Sequence, residues 1–131
     1  MKYFYCDSCF LITFCQENFL GFLSQYKENF FVSDIQINDE LLKPKGIAEL
    51  VRKSITVIKV TEDKTERANC LMQENDGLSF YDCLCLAFCI IDGYCLVTDD
   101  KHLYKRCARY KVNVKNTDDI KKEFKFIDFK I

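Results

Sequence analysis

The chain has one proline and four glycines in 131 residues. With so few breakers there is no linker from which a second domain would hang, and there is no low-complexity tract or internal repeat. No apolar run approaches the roughly 18 residues of a membrane-spanning helix. The opening residues, MKYFYCDSC, meet an acid at Asp7 and offer neither an apolar h-region nor a small-residue cleavage site. The expected location is therefore the cytoplasm, with no membrane partner. Net charge is nearly absent too. At −1 the molecule as a whole does not draw in a polyanion, so any nucleic acid must meet a local basic patch.

What is plentiful is apolar side chain and cysteine. Hydrophobic residues make up 49% and charged residues 30%, a globular composition large enough for a core without metal or disulfide staples. Nine cysteines in a reducing compartment read as small buried hydrophobes, above all Cys83, Cys85 and Cys89 in the run LCLAFCII. Cys6 and Cys9 form a C-x-x-C that invites a redox or zinc reading. A thioredoxin-like site needs a cis-proline facing the thiols, and the single proline, Pro44, sits among lysines. A structural zinc site needs a second ligand pair, which is missing. Both cysteines are expected to pack.

Strand-like and helix-like segments alternate. KYFYC ends at Asp7 and leads into a helical pattern, with Leu11, Phe14, Phe19, Phe22 and Leu23 at helix spacing and a break expected at Gly21. FFV (30–32) reads as a second strand, and Ser33 as the N-cap of DIQINDELL. After the break at KPKG come the helix IAELVRK, the strand ITVIKV and a polar helix capped by Thr61. A helix then starts at Ser79 and is stopped by Gly93. YCLVT, DDKHLYKRCARY, KVNV and a helix capped by Thr117 complete the chain. This alternation predicts an α/β fold, a single-domain parallel β-sheet with helices on both faces.

In such sheets the working site lies beyond the carboxyl ends of the strands. Asp7 follows the first strand, Asp99 and Asp100 follow YCLVT, Asp82 lies in the first turn of the helix from Ser79, and Glu40 sits one or two turns into the helix after the second strand. Each acid has a bland reading as a cap or a solvated helix residue. Four segments aimed at one sheet edge are harder to dismiss, because clustered carboxylates raise one another's pKa unless a cation neutralises them. All-oxygen donors suit Mg²⁺ or Mn²⁺, and such an ion activates water and stabilises the charge on a phosphodiester under attack.

These stretches, D-S-x-x-L-I, I-x-x-E-L (Ile37 to Leu41), G-L-S-F-Y-D-x-x-x-L-x-x-A (Gly77 to Ala87) and L-V-T-D-D-x-x-L (Leu96 to Leu103), resemble a PIN domain. The similarity is to the VapC-type toxin ribonucleases of bacterial and archaeal toxin–antitoxin pairs. It runs in order from about residue 2 to about residue 120, and residues 1–123 are expected to form the PIN-like domain. The resemblance implies an α/β/α sandwich and an endoribonuclease dependent on Mg²⁺ or Mn²⁺. Its acidic quartet would be Asp7, Glu40, Asp82 and Asp100, with Asp99 and Asp39 as alternates. Ser8, Ser79 and Thr98 would support them. The implied partners are an RNA substrate, a second copy of the chain and a cognate antitoxin protein. A PIN-like binding module that has lost catalysis is the alternative. The tail FKFIDFKI (124–131) extends past the usual core as an edge strand or a partner contact.

Basic residues cluster just after the acids. Lys101, Lys105 and Arg109 fall at i, i+4, i+8 on one helix face, with Arg106 and Lys111 beside them, as a candidate RNA contact. A solvated face is an equally good reading. Lys43, Lys45, Arg52 and Lys53 make a second patch near Glu40. His102 is the only histidine and reads as a surface residue, since a metal-based nuclease needs no imidazole.

Overall fold

The computed structural model describes residues 2–124. The strands β1 (Phe4–Cys6), β2 (Phe30–Ser33), β3 (Thr56–Ile58), β4 (Cys95–Val97) and β5 (Val114–Lys115) form one parallel sheet in the order β3-β2-β1-β4-β5. The chain starts in the middle of the sheet, runs outward through β2 and β3, then returns to the other side of β1 for β4 and β5. Phe4 pairs in register with Phe30 on one side and with Cys95 on the other.

Side chains alternate across the strands, and the two faces bury different cores. Phe4, Cys6, Phe30, Val32, Cys95 and Val97 join one cluster. It is covered by α1 (Ser8–Gln16), a 3₁₀ segment (Leu20–Asn29), α2 (Asp34–Glu40), α3 (Ile47–Ser54) and α7 (Thr117–Phe124). Tyr5 and Leu96 enter the other cluster, under α4 (Glu62–Glu74), α5 (Phe80–Asp92) and α6 (Lys101–Cys107). Both faces being apolar explains why the strands read as continuous hydrophobic runs.

Several boundaries were legible in local chemistry. Ser33 accepts the Gln36 amide and caps α2, and Ser79 with Asp82 closes a capping box on α5. Gly93 ends α5 in the left-handed conformation (φ 77°), where a Cβ is disfavoured. Others differ from expectation. The helix break falls at Asn18 (φ 63°), whose amide and that of Phe19 bond the last carbonyls of α1, while Gly21 lies inside the 3₁₀ segment. Thr61 occupies the N-cap of α4, but its hydroxyl bonds the Asp63 carboxylate instead of a backbone amide. Asn116, not Thr117, caps α7, exchanging hydrogen bonds with Asp119. Phe124 is the last residue of α7, and its ring packs on Phe4 and Phe30. The rest of FKFIDFKI lies outside the described residues.

None of the nine cysteines forms a disulfide. Cys6, Cys83, Cys85 and Cys89 are buried as expected, but Cys9 is exposed. Among the described residues no helix is long and apolar enough to cross a membrane.

Candidate active site

The path of the chain creates a switch point between β1 and β4, and the crevice beyond their carboxyl ends is where a doubly covered parallel sheet accepts ligands. Asp7 sits there, one residue past β1, and its amide extends the ladder by donating to the Val97 carbonyl (2.9 Å). The residue is 5% exposed. Thr98, one residue past β4, donates its hydroxyl to Asp7 Oδ2 at 2.7 Å. The same Thr98 Oγ1 accepts the Asp100 amide at 3.1 Å, so one hydroxyl ties two of the acids.

The other carboxylates come from helix ends. Glu40 closes α2 and accepts the Ser8 hydroxyl at 2.7 Å. Asp82 Oδ2 accepts the Ser79 amide (3.1 Å). Asp100 Oδ1 accepts the amides of His102 (2.9 Å) and Leu103 (3.0 Å), capping α6. Asp7, Glu40, Asp82 and Asp100 line one cavity of about 330 Å³ together with Ser8, Cys9, Ile12 and Thr13. A larger cavity, about 490 Å³, opens at the other end of the strands around Lys2, Tyr3, Asn113 and Lys115. It gathers no cluster of acids, so chemistry and not size marks the smaller one.

Electrostatics follow the crowding. Burial, opposed by the Thr98 bond and reinforced by the charges of Asp82 and Glu40, lifts the Asp7 carboxyl to about 7. Burial, with Asp82 and Asp39 nearby, also raises Glu40 against the pull of the Ser8 bond. Asp82 rises for the same first reason, with Asp100 adding and the Ser79 bonds and His102 subtracting. The donor chemistry, hard oxygens only, fits Mg²⁺ or Mn²⁺. Among the described residues, however, no three His, Cys, Asp or Glu side chains stand close enough to share an ion. Each carboxylate is turned to its own hydroxyl or amide partner.

The two alternates have other tasks. Asp99 accepts the Thr117 amide (2.8 Å) and the Thr117 hydroxyl, joining the end of β4 to α7. Asp39 accepts the Tyr81 hydroxyl at 2.5 Å at the exposed surface. Of the basic residues, Lys101 and Lys105 are exposed beside the acids, around a cavity of about 240 Å³. Arg109 does not continue their face. The α-helix ends at Cys107, and from the following 3₁₀ turn Arg109 donates to Glu74 O (3.3 Å) and Asn75 Oδ1 (3.2 Å). Arg106 is half-buried, with its Nε lacking an acceptor among the described residues. Lys111 is exposed in a left-handed turn. Lys43, Lys45, Arg52 and Lys53 are exposed, and Arg52 reaches Asn38 Oδ1 (3.2 Å). His102 is exposed, with Nε2 3.2 Å from the Asp76 carbonyl.

Two contributors were not anticipated. Cys9, expected to pack, instead lines the acidic cavity with Ile12 and Thr13, an i, i+3, i+4 face of α1 whose spacing was readable. Its thiol, pushed up to about 11 by burial and by Asp7, and Cys6, raised well above its usual value by burial, are the reverse of an activated redox pair. Gln36 is wholly buried. Its Oε1 accepts the Tyr5 hydroxyl, and its Nε2 donates to Cys6 O and to Ser8 Oγ (3.4 Å each). Through Ser8 it braces Glu40 against the middle of the sheet. Apart from Ser33, whose hydroxyl also donates to Oε1 (3.2 Å), these partners lie about thirty positions away, and no local pattern exposes them.

Comparison with protein-family models gives no match, and comparison with curated proteins gives none. Solved structures do match. PAE2754 from Pyrobaculum aerophilum superposes with a TM-score of 0.67 over 89% of this chain and 85% of its own, at 17% identity. VapBC2 from Rickettsia felis, solved bound to a DNA fragment from its promoter, gives a TM-score of 0.58 over 86% of this chain and 97% of the matched chain, at 16% identity. At such identities the likeness is one of fold. The chain has the PIN-like, VapC-like fold that its motifs resemble.

Proposed function

We propose that the chain is a metal-dependent endoribonuclease, the toxin of a type II toxin–antitoxin pair. One observation carries this reading: Asp7, Glu40, Asp82 and Asp100, from four separate segments, line one crevice at the sheet's switch point. Burial, reinforced by neighbouring charge, raises Asp7, Glu40 and Asp82, which is costly, and neutralisation by a cation is the simplest reason to keep such a set.

In this reading the four acids hold Mg²⁺ or Mn²⁺. When bound, the ion supplies a Lewis acid that activates water and offsets charge on the phosphodiester. The remaining work falls to the chain. Thr98 keeps Asp7 oriented and desolvated, and Ser8, braced by Gln36, holds Glu40. The helix starts at Ser79 and Asp100 present Asp82 and Asp100 from rigid ends. The deprotonated carboxylates are the forms that bind. A raised Asp7 therefore makes metal affinity climb as pH rises through about 7. RNA is the proposed substrate, met by Lys101 and Lys105. A second copy of the chain and an antitoxin protein are the proposed protein partners.

The test is cleavage of a folded RNA by purified protein with Mn²⁺, with Mg²⁺ and with EDTA, repeated with Asp7→Asn and Asp82→Asn. Cleavage is expected only with metal and is expected to fall about a hundredfold or more in either variant. Cleavage that persists in EDTA, or survives both substitutions, sinks the mechanism. The alternative, a binding module without catalysis, is favoured by the absence of any three converging ligands among the described residues. It predicts RNA or protein binding that EDTA leaves intact, and no cleavage under any metal.

A further inference from the structure

Beside the acidic crevice lies the cavity of about 240 Å³ bounded by Thr98, Asp99, Lys101, Tyr104, Lys105 and Asn116. It opens past the carboxyl ends of β4 and β5, and Thr98 is its wall on one side and the Asp7 partner on the other. Tyr104 is 38% exposed, a large ring left half in water on a helix whose Leu103 and Cys107 are wholly buried. Lys101 and Lys105 are exposed one turn apart on the same helix, and neither enters an ion pair among the described residues. The only acid in the lining, Asp99, has both oxygens engaged by Thr117, and the Asn116 side-chain oxygen is taken by the Asp119 amide. The lining therefore carries two exposed ammonium groups against one carboxylate, whose oxygens are turned to Thr117.

A concavity with an open aromatic ring, flanked by two uncommitted ammonium groups, has the composition of a single-strand nucleotide site. The ring offers a face to any unstacked base, and the lysines meet the phosphates on either side. A duplex hides its base faces and does not use such a ring. We propose that this cavity is a nucleotide subsite for single-stranded RNA, in which Tyr104 stacks on a base while Lys101 and Lys105 hold the adjoining phosphates. This rests on the ribonuclease reading and adds to it how the strand is registered against the acids. A base held in this cavity leaves the neighbouring phosphodiester over the Thr98 wall, towards Asp7.

The measurement is fluorescence anisotropy of a short, labelled, single-stranded 2′-O-methyl RNA with the full chain in EDTA, so that no cleavage intervenes. Tyr104→Phe is expected to bind as the wild type does. Tyr104→Leu, which keeps apolar bulk on the helix, is expected to weaken Kd by about ten- to a hundredfold. The double variant Lys101→Ala, Lys105→Ala is expected to lower the slope of log K against log salt by about 0.7 for each phosphate that it no longer neutralises. Tyr104→Leu binding as tightly as the wild type, or an unchanged salt slope in a folded double variant, overturns the subsite. Cleavage with Mn²⁺ is followed in parallel. A wild type that cleaves while Tyr104→Leu binds normally refutes the subsite alone, whereas a wild type that neither binds nor cleaves refutes both readings.

Discussion

The four clustered acids are held in two different ways. Asp7 and Glu40 rely on hydroxyls brought from far away in the chain, Thr98 at a separation of 91 residues and Ser8 at 32. Asp82 and Asp100 lean on backbone amides two or three residues away at their own helix starts. The first pair exists only when the sheet is assembled. The second pair stabilises its helix starts whether or not the crevice has a use. Burial raises Asp82 as it raises Asp7, but the Asp82 carboxylate also supports its own helix start, whereas Asp7, held across the sheet, has no such local return.

The sharpest way to break that contrast is to remove the charge at Asp7. Its folded-state pKa of about 7 lies above the 3.8 of an unperturbed aspartate, so the fold favours the protonated form. That contribution is fully present below about pH 4 and is lost as pH rises through about 7. Asp7→Asn is expected to stabilise the metal-free protein at pH 8 by up to about 4 kcal/mol and to flatten its stability between pH 5 and pH 8, read by urea denaturation in EDTA. A wild type no less stable at pH 8 than at pH 5, with no gain in the variant, defeats the idea. Thr98→Val comes next. Loss of a hydrogen bond to a buried carboxylate is expected to cost about 2 kcal/mol at pH 8 and less at pH 5, and to raise the Asp7 pKa further, followed by side-chain carboxyl NMR. Smallest is Asp82→Ala, where the opened capping box is expected to cost about 1 kcal/mol in the same denaturation series. A stabilising Asp82→Ala at pH 8 would place Asp82 with Asp7 and erase the distinction between the pairs.

The same division explains what could be read from the residues alone. Ser33, Ser79, Asp82 and Gly93 act within three or four positions, and their roles follow from helix-terminus chemistry. The placement of acids at strand ends followed from alternating strands and helices. Cys9, Gln36 and Arg109 escaped because their surroundings depend on which segments become neighbours. Gln36 faces Tyr5 only through the β1–β2 register, and Arg109 turns to Glu74 only because α6 gives way to a 3₁₀ turn. Asn18 escaped for a different reason. Glycine is the commoner left-handed residue, and Gly21 stood close by.

The sheet order also sets a timetable for synthesis. The central strand is made well before β4, and its flank on that side stays unpaired until β4 and Thr98, 91 residues after Asp7, leave the ribosome. Parallel pairing across such separations is slow, because a long loop must close before any contact rewards it. A nascent chain carrying Asp7, Glu40 and Asp82 still lacks the residue that orients the first of them. The crevice is therefore a late product of this stretch of synthesis, completed only after Thr98 has followed Asp7 by 91 residues.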